Sequence, residues 1–284
     1  MTIKCKSNTV YDGKGQLIED EEIAFSISAG VSNVTIKNYK FRNVRYGVLG
    51  KKGAGESRNI IVENCEMHNE VGTDPFVDYE GQKVTKTSGQ DTGSGILVYG
   101  NYALHDTIVR FNVCTGLARI VLTGNEARNW TICSNRSDGS EDSSIYIKGT
   151  QSIATWNYVI NSGKCGIKTR PNSNPDTQMG GHRIAFNYVE EFGLIKPDAG
   201  ACINVCVPTI VEYNTCKVVK FPAAKDSTAH ARCYNYASPY IISRSNMAIT
   251  KDDPKFIAYK TVKDKKPNFG QFLDSLDDQT IFQD

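Results

Sequence analysis

Residues 107–112 read TIVRFN, and the same wording returns as WTICSN at 130–135, SIATWN at 152–157, HRIAFN at 182–187 and TIVEYN at 209–214. Earlier forms are NVTIKN at 33–38 and NIIVEN at 59–64, and a weaker one, IISRSN, stands at 241–246. Eight β-rich segments therefore end in asparagine, at Asn38, Asn64, Asn112, Asn135, Asn157, Asn187, Asn214 and Asn246. Successive asparagines are 26, 48, 23, 22, 30, 27 and 32 residues apart. A period in the low twenties with longer excursions is that of a solenoid whose coils carry loops.

A short polar turn and a second apolar strand follow each phrase, as in YGVLG, SGILVYG, ARIVLTG, SSIYIKG, CGIKTRP and ACINVCV. These segments are too short and too β-branched for helices, and one coil cannot bury its apolar face without neighbours above and below. Stacking follows, and asparagine at one phase of every repeat is explained by amides hydrogen-bonded from coil to coil. The expected fold is all-β, a single-stranded right-handed parallel β-helix of about eight to nine coils with an Asn ladder. A sandwich or barrel also has short, regularly spaced strands, but does not require one residue type at one phase. Arg110 and Glu212 break the simple inward–outward alternation, and Phe111, Trp156, Phe186 and Tyr213, each preceding a ladder asparagine, read as a second stack that packs between coils.

The expected division is a β-helix over 1–250 with an insertion at 71–93, followed by a charged segment, 251–284, that caps the last coil or contacts another subunit. The 284 residues include 33 Lys and Arg against 31 Asp and Glu, a balance that argues against a nucleic-acid partner. MTIKCKSNTVYDG has no apolar core suited to a signal peptide, and no run of 18 apolar residues spans a membrane. Nine cysteines without a CxxC pair are expected as buried free thiols made in a reducing compartment. The sequons at Asn33 and Asn129 receive no role, and His68, His105, His182 and His230 share no metal-like spacing.

Alternation places Tyr146 and Lys148 outward in one coil and Lys168 and Arg170 outward in the next, about 5 Å away. With Arg119 in the preceding coil, and Tyr99 and Asn204 on the same face, this makes a basic, tyrosine-bearing stripe on a nearly neutral chain. Exposed strands often carry solvated Lys and Arg, and that reading stands beside a functional one. Fixed cations with aromatic planes suit an acidic polysaccharide, whose carboxylates accept hydrogen bonds from arginine and whose sugar rings pack on tyrosine. The same residues suit β-elimination, which needs a base and a cation to stabilise the enolate-like intermediate.

Residues 8–38, with YDGKG before the first regular coil, resemble the opening coils of pectate-lyase-like β-helix proteins, a likeness extending over roughly residues 2–246. SSIYIKG followed by CGIKTRP is similar, locally, to the alginate lyase and chondroitinase B type of polysaccharide lyase. The resemblance implies Lys148 as base and Arg170 as acid or stabiliser, while the other stripe residues, Tyr99, Arg119, Tyr146, Lys168 and Asn204, are expected to bind substrate. It also implies Ca2+ held near Glu141, with Asp138 and Asp142 close by, although the second spaced glutamate of that family is absent and the chain is much shorter. SDGSEDSS, residues 137–144, equally forms a polar turn, in which case no cofactor is required. Two other readings remain. One is a non-catalytic glycan-binding β-helix of the virion tailspike kind, forming a homotrimer through its C-terminal segment. The other is a polysaccharide hydrolase with paired carboxylates, for which no outward acidic pair is as well placed.

Overall fold

A computed structural model describes residues 1–69, 95–100, 104–170, 180–192, 200–218, 231–238 and 241–250, together with the backbone of 256–261. The insertion at 71–93 and most of 251–284 lie outside the described residues. The chain is a right-handed parallel β-helix in which each coil lays one strand in each of three sheets of ten, nine and nine strands. Leu104–Arg110, Val113–Thr115 and Arg119–Leu122 are successive strands of the second, third and first sheet. Each strand pairs in parallel with its counterparts one coil away. Phe256–Thr261 joins the first sheet beside Ala231–Tyr236, continuing its backbone ladder past residue 250.

Because every coil repeats the same path, inward positions fall into columns. In the second sheet Ile36, Val62, Val109, Ile132, Ala154, Ile184 and Val211 are in register, and all are fully buried. Phe25, Val48, Val98, Val121, Ile145, Ile167, Ile203 and Tyr234 form the matching column of the first sheet. Each fully buried Val, Ile or Phe contributes about 1.5–3 kcal/mol, and none of it is available to an isolated coil. All nine cysteines are free thiols, seven of them buried.

The asparagine ladder runs unbroken through six coils. Backbone N and Nδ2 of Asn112 both donate to Oδ1 of Asn135, at 3.2 and 2.9 Å. The pattern repeats from Asn135 to Asn157, Asn157 to Asn187, Asn187 to Asn214 and Asn214 to Asn246. Each Nδ2 also donates to a strand carbonyl, such as Val109 O for Asn135 and Ile132 O for Asn157. Asn38 and Asn64, expected in this ladder, stand one residue ahead of it. They occupy the outward corner position at φ 60° and 52°, the place that Phe111 and Trp156 hold in later coils. Tyr39 and Cys65 follow at the ladder position, and Cys65 N donates to Asn112 Oδ1 at 2.9 Å. Two adjacent positions of one corner favour asparagine for different reasons, amide bonding inside and a left-handed backbone outside.

The corner between the first and second sheets carries asparagines of its own. Asn8, Asn33 and Asn59 lie at positive φ and are linked Nδ2 to Oδ1 at 2.8 and 2.9 Å, and Asn129 donates to Asp106 at 2.9 Å. Asn33 and Asn129, given no role above, are therefore corner residues. The same substitution should separate the two kinds of asparagine. Asn157→Ser leaves buried donors of Asn135 without their acceptor and should cost about 3 kcal/mol in urea unfolding, while Asn64→Ser, at an exposed corner, should cost less than about 0.5 kcal/mol.

Candidate functional site

The outward side of the first sheet changes character along the axis. One register column reads Leu49, Tyr99, Leu122, Tyr146, Lys168, Asn204 and Asn235. Its early part belongs to a second apolar cluster outside the coil, made of Tyr46, Ile96, Ala118, Leu122 and Tyr146, with Tyr99 packed against it. Tyr46 and Tyr99 have ring centroids 5.7 Å apart. The later part is polar: Asn235 Nδ2 donates to Asn204 Oδ1 at 3.1 Å, and Asn204 Nδ2 reaches Cys165 Sγ at 3.9 Å.

Tyr146, 6% exposed, sits where the two characters meet. Nζ of Lys148 and of Lys168 lie 5.2 and 5.4 Å from its ring centroid, the Arg119 guanidinium lies at 5.3 Å, and Nη1 of Arg170 donates to its hydroxyl at 3.4 Å. The ring's negative face attracts cations, by about 0.5–2 kcal/mol each depending on desolvation, which gathers four basic side chains in one place. The strand register accounts for most of this: Ile145, Ile147, Ile167 and Thr169 are fully buried, so the intervening residues must point outward.

The structure places the expected residues at different depths. Arg170 is exposed, and Lys148, Lys168, Asn204 and Tyr99 are half-buried. Arg119, expected at the surface, is 1% exposed and ion-paired with Asp142. It aligns with Ile96 and Tyr46, at the start of its strand, so it supports Tyr146 from beneath. Burial raises the Asp142 carboxyl, but Arg119, Lys164 and Lys168 outweigh that and hold it below the usual carboxylate range. Burial pulls the Lys168 ammonium below its ordinary value, and it pushes the neighbouring Cys165 thiol up, so that thiol stays neutral. Asp138, Glu141 and Asp142 are not assembled as cation ligands: Asp138 accepts from Asn161 Nδ2 at 2.9 Å, and Asp142 faces Arg119. Among the described residues no group of three or more His, Cys, Asp or Glu side chains is placed to hold a metal ion.

Two further features lie away from this face, and one of them, the aromatic stack before the ladder asparagines, was expected from the sequence. A cleft of about 280 Å³ is lined by Glu56, His105, Arg128 and the 125–127 turn. Glu56 Oε1 lies 2.7 Å from Arg128 and 3.4 Å from His105 Nε2, and burial together with the Arg128 charge holds the His105 imidazolium below its normal range. The three residues come from three different coils, so no local motif announces them. The other feature is the corner aromatic row. Trp156, Phe186 and Tyr213 stack at 4.7 and 5.1 Å, within 6° of parallel, and Tyr158 and Tyr188 stack beside them at 5.0 Å. The stack is open to solvent, with Trp156 62% and Tyr213 47% exposed, and Ser134 separates Phe111 from it.

No protein-family model matches this chain, and no curated protein sequence does. Among solved structures it is similar to the tailspike protein of E. coli bacteriophage HK620. A double mutant in complex with a pentasaccharide is 12% identical at a TM-score of 0.43, over 85% of this chain and 55% of that one. Another mutant of that tailspike is 13% identical at 0.39, over 78% and 48%. The chain thus spans about half the length of these tailspikes.

Asp142→Asn tests the buried pair. It should cost about 3 kcal/mol, the low end for a buried ion pair because Asp142 is itself 34% exposed. Since the folded carboxyl titrates below its unfolded value, the wild-type contribution is present above the unfolded pKa and lost as pH falls through the folded one. Chemical unfolding at several acidic pH values should therefore show a shallower acid decline in the variant.

Proposed function

We propose that the outward face of the first sheet binds an acidic polysaccharide, with the β-helix as a stiff glycan-binding shaft of the tailspike kind. The observation that carries this reading is the convergence of Lys148, Lys168, Arg119 and Arg170 on the Tyr146 ring. An extended polyanion crossing this face meets the exposed Arg170 guanidinium, which is shaped for a carboxylate, and two ammonium groups beside it. Asn204 and Asn235 continue the face with amides suited to sugar hydroxyls. In this reading the chain is a homotrimer assembled through 251–284, and mass measurement in solution should return three copies.

β-Elimination is the second reading, and the gathering of an amine, Lys148, and a guanidinium, Arg170, from adjacent coils around one Tyr146 ring favours it, because the reaction needs a base and a cation side by side. Lys148 takes the proton beside the uronate carboxyl group, while Arg170 neutralises the charge that develops there and assists the leaving oxygen.

Binding is tested on alginate, chondroitin sulfate and pectate by calorimetry, alongside ultraviolet absorbance of the unsaturated product. Arg170→Ala and Lys148→Ala should each weaken binding about tenfold, the equivalent of roughly 1.4 kcal/mol. Unchanged affinity in both variants sinks the proposed face. Binding that survives without any absorbance change removes the elimination reading alone, and new reducing ends without absorbance would point to hydrolysis instead.

A further inference from the structure

Across the solenoid from the basic face, at the corner between the second and third sheets, the residue before each ladder position adopts the same left-handed backbone. Its occupants are Asn38, Asn64, Phe111, Ser134, Trp156, Phe186, Tyr213 and Ser245, with φ between 51° and 60°. Bulky residues rarely accept that conformation, and a run of them marks a place where strain is retained for a purpose. Trp156, Phe186 and Tyr213 recover part of the cost by stacking on one another. Phe111 stacks on no other ring: its neighbours at this corner are Asn64 and Ser134, its contact is the Arg110 guanidinium 5.5 Å from the ring centroid, and the ring is 52% exposed.

The row is therefore a ladder of rings with one rung missing. Phe111 and Trp156 leave the backbone at φ 56° and 58°, from equivalent places two coils apart. Two strand spacings separate them, about 9.5 Å. One face of Trp156 lies on Phe186, and the coil on its other side presents only Ser134. Stacked rings here are 4.7–5.1 Å apart, so the vacant level is one ring deep. Polar groups flank it. Ser134 carries its hydroxyl at that level and Arg136, beyond the Ser134 corner, lies 5.4 Å from the Tyr158 ring, whereas Arg110 is turned to Glu63 in the preceding coil at 2.7 Å.

We propose that the notch at Ser134, between Phe111 and Trp156, is a carbohydrate-binding slot that takes one pyranose ring of a glycan. A puckered ring with C–H groups on both faces packs against aromatic walls, while its equatorial hydroxyls project sideways toward Arg136 and the Ser134 hydroxyl. An aromatic side chain of a protein partner would use the walls and leave those donors idle. The slot stands apart from the basic face and needs neither Lys148 nor Arg170.

The test uses the full chain on an array of immobilised bacterial capsule and O-antigen oligosaccharides, with tryptophan fluorescence as a second readout. Trp130 is fully buried, so an external ligand reports through Trp156. Ser134→Trp fills the missing rung and should hold or raise the thermal midpoint while reducing a subset of glycan signals at least tenfold. Trp156→Ala should remove the same subset by losing a wall, and Lys148→Ala with Arg170→Ala should leave it intact. If every signal survives Ser134→Trp, or if the wild-type chain shows none, the slot is overturned. Signals abolished by the basic-face variants alone also overturn it while leaving the proposed binding face standing. Quenching by N-acetyltryptophanamide with no response to any glycan would reassign the notch to a protein partner and overturn the sugar reading.

Discussion

Everything in this molecule depends on parallel backbone hydrogen bonding from one coil to the next at constant register. Once Ile145 pairs with Ile167 and Ile167 with Ile203, each residue inherits a counterpart directly above and below it. Side chains that tolerate their own kind then accumulate into columns. Aliphatic residues fill the interior, amides of Asn112 to Asn246 share hydrogen bonds, and flat rings stack at the corner. The same constraint makes the amide ladder costly to interrupt, because its asparagines both donate and accept and, from Asn112 to Asn214, are buried away from solvent.

Like charges tolerate such stacking badly, and the second and third sheets show how it is avoided. Lys37, Glu63 and Arg110 alternate in sign along one column, and Glu212 stands between Arg183 and Arg244. Glu190 pairs with Lys217 in the third sheet. These pairs explain Arg110 and Glu212, which break the apolar alternation at a strand end where the chain already turns outward. The first sheet does otherwise around Tyr146, where a ring and the half-buried Asp142 carboxylate hold a group of basic side chains together. A local field of one sign on a chain whose formal net charge is only +2 is a property of placement, not of composition.

The periodic part of the fold was legible because stacking repeats its demands: β-branched strands, a polar corner and an asparagine at one phase recur whenever a coil closes. The Tyr146, Lys148, Lys168 and Arg170 quartet was legible for the same reason, since alternation within two adjacent strands determines direction. Arg119 was misplaced because alternation gives direction and not cover: Tyr146 and Asp142 pack over it and leave it 1% exposed. Asn38 and Asn64 were assigned to the ladder because both positions of the corner welcome asparagine, and only the register against Asn112 tells them apart.

By itself, then, the sequence determined that the chain coils, how often, and which residues face outward on two neighbouring strands, because those features arise from local period and residue type. Depth, partners across coils and open space were decided by the tertiary structure alone. The Glu56, His105 and Arg128 cleft and the empty level between Phe111 and Trp156 each join residues more than twenty positions apart, and a missing rung has no letter in the sequence. It exists only once neighbouring coils are laid on one another at a common spacing.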